Sequence, residues 1–203
     1  VAGLEWMHGR DLPLLSLTFA RGLPARRLLE LMGADPATLT TRDQDVFLEE
    51  FGDILDDEDA YVVTAGQHES WAWAWEHGSW LCVEDDDLVR RVSAGTTALV
   101  LHANDKPMVE WCYAEDGQVV TGINTLLSLR PEDRWGSDPH RFDADLRALG
   151  ADPDLGEYGP LGMRGLFYRL AENLGVGVPH GDLVENPVLS AQLQPYEGQA
   201  AVC

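Results

Sequence analysis

The stretch Trp71-Ala72-Trp73-Ala74-Trp75-Glu76-His77-Gly78-Ser79-Trp80 decides the reading of this chain. Three tryptophans at a spacing of two throw their rings onto one face of a strand, because successive β side chains alternate between faces. A strand over residues 70–75 is therefore predicted, with Ala72 and Ala74 behind it, small enough to admit a helix. His77-Gly78 carries a tight-turn signal, and residues 79–83 read as the returning strand, which sets Trp75 opposite Trp80 and Trp73 opposite Cys82.

The same reading extends outward. Residues 14–20 form a strand with Leu15, Leu17 and Phe19 on one face, and Pro24 opens a helix that Gly33 stops. A second helix starts at the capping pattern Thr41-x-x-Gln44 and carries Phe47, Phe51, Ile54 and Leu55 on one stripe. Residues 61–64 and 96–102 favour strands. Acidic residues 84–87 stand where a helix N-terminus attracts negative charge, ahead of a short helix through Val92. Residues 108–114 and 118–124 make a hairpin around Asp116-Gly117, in a register that sets Tyr113 against Val120 and Trp111 against Gly122. Asp138-Pro139 opens a helix that runs to Gly150. Met163, Leu166, Phe167, Leu170, Ala171 and Leu174 follow one helical stripe that ends at Gly175, and a last short helix is expected around residues 183–193. The sum is an α+β fold: an antiparallel meandering sheet of about five to six strands, helices packed on one face, and a single domain over residues 1–203.

Composition removes several functions. The 203 residues carry a formal charge of −21 with one lysine, Lys106, so nucleic acid is not expected as a partner: phosphate binding needs cations from the protein. The runs 56–59 and 84–87 would steer basic partners at most. Cys82, Cys112 and Cys203 form neither a disulfide framework nor a CxxC pair, which points to reduced thiols and a cytoplasmic setting. No apolar run reaches the length of a membrane span, so no membrane partner is expected.

Catalytic motifs are scarce. His180-Gly181-Asp182-Leu183-Val184-Glu185-Asn186 is similar to the catalytic loop of aminoglycoside-phosphotransferase-like kinases. Its asparagine comes one residue early, however, and a glycine-rich phosphate loop and strand lysine are missing. No nucleophile elbow occurs, and no zinc or calcium pattern, so neither a metal nor a cofactor is expected. Glu69, Glu76 and His77 beside the aromatic comb, with His68 nearby, are the candidate acid–base residues. Trp71, Trp73, Trp75, Trp80, Trp111 and Tyr113 are the candidate binding residues, since Trp and Tyr dominate interface hot spots.

Several segments, taken in order, carry a resemblance. They are Leu17-Thr-Phe-Ala-Arg-Gly22 with Gly33-Ala-Asp35, Trp71 to Trp80, Ser93-Ala-Gly95-Thr96, Tyr113-Ala-Glu-Asp-Gly117 and Arg134-Trp-Gly136. Through them the chain resembles a family of uncharacterised actinobacterial proteins known as a domain of unknown function. The resemblance implies one domain in a bacterial cytosol and names no activity. Two functions are carried forward. The first is an acidic, tryptophan-rich module that docks a protein partner in an immunity, defence or regulatory role. The second is a protein of specialised metabolism, enzyme or binder, that takes a small cationic or aromatic ligand in an aromatic-lined pocket. An exposed Trp face would equally serve a homo-oligomer.

Overall fold

The computed structural model describes residues 3–8, 14–55, 57, 61–104, 106, 108–126 and 128–194. The comb is a strand, β4 (Trp71–His77) in the numbering used from here. Before it come α1 (Glu5–His8), β1 (Leu14–Arg21), α2 (Ala25–Met32), β2 (Thr40–Arg42), α3 (Gln44–Phe51) and β3 (Val62–His68). After it come α4 (Leu81–Glu84), α5 (Leu88–Val92), β5 (Thr97–Asn104), β6 (Val109–Glu115), β7 (Gln118–Asn124), α6 (Asp143–Ala148), α7 (Gly162–Asn173), α8 (His180–Val184) and β8 (Val188–Gln192). The strands form one open antiparallel sheet in the order β2-β8-β3-β4-β1-β5-β6-β7.

Eight strands replace the expected five to six. The additions are β2 and β8, which pair through Thr41 and Leu189 across most of the chain. Three residues are too few to show a period, and residues 188–192 lie inside the stretch expected to be helical. The comb's hairpin partner also differs. β4 pairs with β3 through the turn at Glu69-Ser70, where Glu69 takes a positive φ of 51°.

Residues 79–83 are not a strand. Trp80-Leu81-Cys82-Val83 favours β structure locally, yet the Glu76 carboxylate accepts from the amides of Leu81 at 2.7 Å and Cys82 at 3.0 Å and holds the segment as the first turn of α4. Neither expected pair, Trp75 with Trp80 or Trp73 with Cys82, exists: Trp75 faces Leu17 and Thr64, and Trp73 faces Phe19 and Gly66. In the β6–β7 hairpin, Asp116 and Gly117 both take positive φ as a tight turn requires. A register shift after Tyr113 then sets Tyr113 against Thr121 and Trp111 against Ile123. The ring over Gly122 is that of Trp135, not Trp111. The helix expected from Pro139 begins only at Asp143, and Asp43 rather than Thr41 caps α3, accepting from the Val46 amide at 2.9 Å.

Helices cover both faces of the sheet, where one covered face was expected. Trp71, Trp73, Phe19, Leu99, Trp111 and Tyr113 pack against Leu166, Phe167 and Leu170 of α7. On the reverse face Ala20, Ala72, Ala74, Ala98 and Ala114 leave room for Leu28 and Leu29 of α2 and for Leu88 and Val92 of α5. This row of alanines extends the small-residue face expected behind the tryptophans at Ala72 and Ala74. In three dimensions it lets a helix approach the backbone and bury a second apolar layer.

Candidate functional site

Alternation along β4 divides the comb. Trp71, Trp73, Trp75 and His77 project to the α7 side, while Ala72, Ala74 and Glu76 project to the α2 side. Trp71 is 3% exposed and donates its Nε1–H to the Leu174 carbonyl at 3.2 Å. Trp73 is 0% exposed, and its indole nitrogen has no partner among the described residues. Burying a Trp removes 150–250 Å² from water, on the order of 4–6 kcal/mol, against about 1–3 kcal/mol for the unpaired N–H. Packing wins, so Trp73 is a core residue.

The second aromatic set shares that core. Register places Trp73, Phe19, Leu99 and Tyr113 in one row, and Trp75, Leu17, Leu101 and Trp111 in the next. Two intervening strands separate the comb from Trp111 and Tyr113. Trp111 meets Phe142 edge-on at 5.5 Å, and Tyr113 meets the same ring at 5.1 Å and donates its hydroxyl to Glu115 at 2.6 Å.

Only the last tooth reaches open space. Trp75 is partly buried, and the His77 imidazole stacks on it at 5.2 Å with the planes 23° apart. His77 Nε2 lies 2.9 Å from Thr64 Oγ1, and Phe47 of α3 stands 5.4 Å from the imidazole. Trp6 of α1 approaches Trp75 at 6.2 Å, is anchored by Nε1–H donation to the Val178 carbonyl at 2.7 Å, and meets His180 of α8 edge-on at 4.9 Å. These rings, with Leu48, Leu55, Leu183 and Val188, wall a cleft of about 300 Å³ whose polar rim includes Asp43, Gln44 and Asn186. Burial lowers the His77 pKa to about 4, so the stacked imidazole is neutral at neutral pH. The cleft can stack a planar group against its aromatic walls and offer it hydrogen-bonding partners on its rim.

The acid–base candidates do not converge here. Glu76 faces the other side of the sheet, is 1% exposed, and accepts from Ser79 Oγ at 2.8 Å as well as from the amides of Leu81 and Cys82. Burial pushes its pKa up. Glu69 and His68 sit at the opposite end of β4, at the hairpin turn. Trp80 is 40% exposed and donates to Glu84 Oε1 at 2.7 Å, away from Trp75. Among the described residues no group of three or more His, Cys, Asp or Glu side chains is placed to hold a metal ion. Asp56, Glu58, Asp59 and Cys203 lie outside the described residues.

Trp6, Phe47 and His180 escape a reading of the sequence as site residues. They come from α1, α3 and α8, and no local pattern signals that three separate helices converge on one strand end. Among the described residues no helix is long and apolar enough to cross a membrane. No curated protein and no solved structure matches the chain. Residues 8–164 do match DUF6461, a family of unknown function, across a span that includes Phe47, Trp75 and His77 and stops short of His180, and the chain belongs to that family.

Proposed function

We propose that the protein binds a small planar aromatic ligand in the cleft walled by Trp6, Phe47, Trp75, His77 and His180. The carrying observation is the Trp75–His77 stack, two rings left partly open inside a cavity of about 300 Å³. That volume lies within the range of small-molecule sites, which are mostly apolar with a few placed polar groups. The formal charge of −21 raises the local concentration of cationic ligands, so a positively charged aromatic is favoured over an anionic one. A reducing, cytoplasmic setting suits the free thiols Cys82 and Cys112.

Indole is the test probe, followed through the His77 Cε1–H signal. Saturable shifts are expected, with affinity reduced at least tenfold in Trp75→Leu and the melting temperature held within a few degrees. An unmoved His77 signal, or equal binding by Trp75→Leu, overturns the proposal. Protein docking is the second reading, supported by the exposed Val46 (37%) and Leu48 (51%) on α3 beside the cleft. Under it a partner inserts an aromatic side chain into the same cleft and covers α3. Val46→Glu, a change on α3 outside the cleft lining, would then abolish the partner's binding while indole binding survives.

A further inference from the structure

The walls of the aromatic cleft are inclined to one another. Trp6 of α1 stands 57° from the plane of Trp75 at 6.2 Å, and Phe47 of α3 stands 56° from the His77 imidazole at 5.4 Å. His77 is nearly parallel to Trp75, 23° away, so these two form one wall. Rings inclined in this way cannot all lie flat on one planar ligand, whereas a compact cation is attracted by each aromatic face it meets.

Charge points the same way. Apart from its two imidazoles, the cleft is lined by one ionisable side chain, Asp43, and neither lysine nor arginine is among its lining residues. Burial keeps His77 neutral at neutral pH. Asp43 is exposed on the rim, and its Oδ1 accepts from the Val46 amide at 2.9 Å, which fixes the carboxylate as the N-cap of α3. Its Oδ2 makes no hydrogen bond or ion pair among the described residues. The adjacent cation, Arg42, is 5% exposed and donates to Glu50 at 2.7 Å and to the carbonyls of Thr38 at 2.8 Å and Ser190 at 3.1 Å. None of these bonds reaches Asp43, and Asp45 in the first turn of α3 adds to the negative field.

The remaining lining narrows the kind of cation. A primary ammonium brings three N–H donors, each of which costs free energy if it leaves water unmatched. The cleft presents Leu55, Leu183 and Val188, and its one buried hydroxyl, Thr64, is already engaged with His77 at 2.9 Å. A methylated nitrogen has no N–H to match. It carries its charge against ring faces and aliphatic groups, with a carboxylate at the rim as counter-ion.

We propose that the ligand of this cleft is a small aryl quaternary ammonium, its methylated nitrogen held among Trp6, Phe47 and Trp75 with Asp43 as the residue that selects the charge. This rests on the cleft being an aromatic-ligand site, and it names the class of ligand.

The probes are phenyltrimethylammonium and tert-butylbenzene, which share a shape and differ in charge. Both are followed on the full chain through the His77 Cε1–H signal at pH 8, where imidazole protonation adds no charge. The cation should bind about tenfold more tightly than its neutral counterpart. Asp43→Asn keeps the cap of α3, since asparagine caps a helix as well as aspartate does. At low ionic strength it should weaken the cation about fivefold and leave indole binding as in the parent. Phe47→Leu should weaken the cation about threefold with tert-butylbenzene retained. Equal affinity for the two probes overturns the proposal, as does parent-like binding of the cation by either variant. Indole binding without a preference for the cation removes this inference and leaves the aromatic-ligand reading standing. A His77 signal unmoved by indole and by both probes removes the two together.

Discussion

Trp75 and Glu76 are neighbours in sequence and belong to different halves of the molecule. Alternation sends the ring to a cleft and the carboxylate into the reverse face, where it serves as the amide acceptor that starts α4. Glu76 therefore acts on structure first. In Glu76→Gln the amide group presents N–H donors to at least one of Ser79, Leu81 and Cys82, each already a donor. A loss of about 2 kcal/mol is expected, as for a buried hydrogen-bonding group left mismatched. Urea unfolding measures it, and indole binding at Trp75 should be unaffected. A variant as stable as the parent would show that α4 holds without the carboxylate.

At the scale of elements, the comb depends on bare backbone beside it. A Cβ on Gly66 of β3 would lie 2.5 Å from the Trp73 ring, which is 0% exposed and has nowhere to go. A Cβ on Gly122 of β7 would come closer still, at 1.9 Å from Trp135, but that ring is 37% exposed and can swing outward. Overpacking a rigid core costs about 1–3 kcal/mol. Gly66→Ala should fall at the upper end of that range and Gly122→Ala at the lower end, by denaturant midpoints. The reverse order would mean that the Gly122–Trp135 bridge anchors the long connection between β7 and α6 more firmly than Trp73 anchors the centre of the sheet. The late helix α7 illustrates the opposite case. Its stripe from Leu166 to Ala171 appears in the sequence at helical spacing and is buried as that spacing requires.

For the molecule as a whole, acid stability gathers these groups into one curve. Burial lowers His77 and His102 to about 4, against about 6.5 when unfolded. Between those values the unfolded chain binds more protons, so stability falls as pH drops, by up to about 1.4 kcal/mol per pH unit for each imidazole. Glu76 opposes this trend: its raised pKa adds stability on the acid side that is lost as pH rises through it. Relief of repulsion among the carboxylates of a −21 chain acts in the same direction. Urea midpoints between pH 6.5 and 4 should decline in the parent and decline less steeply in His77→Gln. Equal slopes would mean that His77 is protonated in the fold. The sequence by itself determined the strands that carry their own period: β1 through Leu15, Leu17 and Phe19, β4 through its tryptophans, and the β6–β7 turn through Asp116-Gly117. It also determined α7 and the acidic charge. Alternation and helical spacing are local properties, set by which face of an element must leave water. Only the tertiary structure decided the pairing of β2 with β8, the helical form of residues 81–83 within the expected strand 79–83, and the division of the comb into two core rings and one cleft wall. Those outcomes depend on which distant surfaces bury one another, and a period in sequence records that a face is buried without recording what covers it.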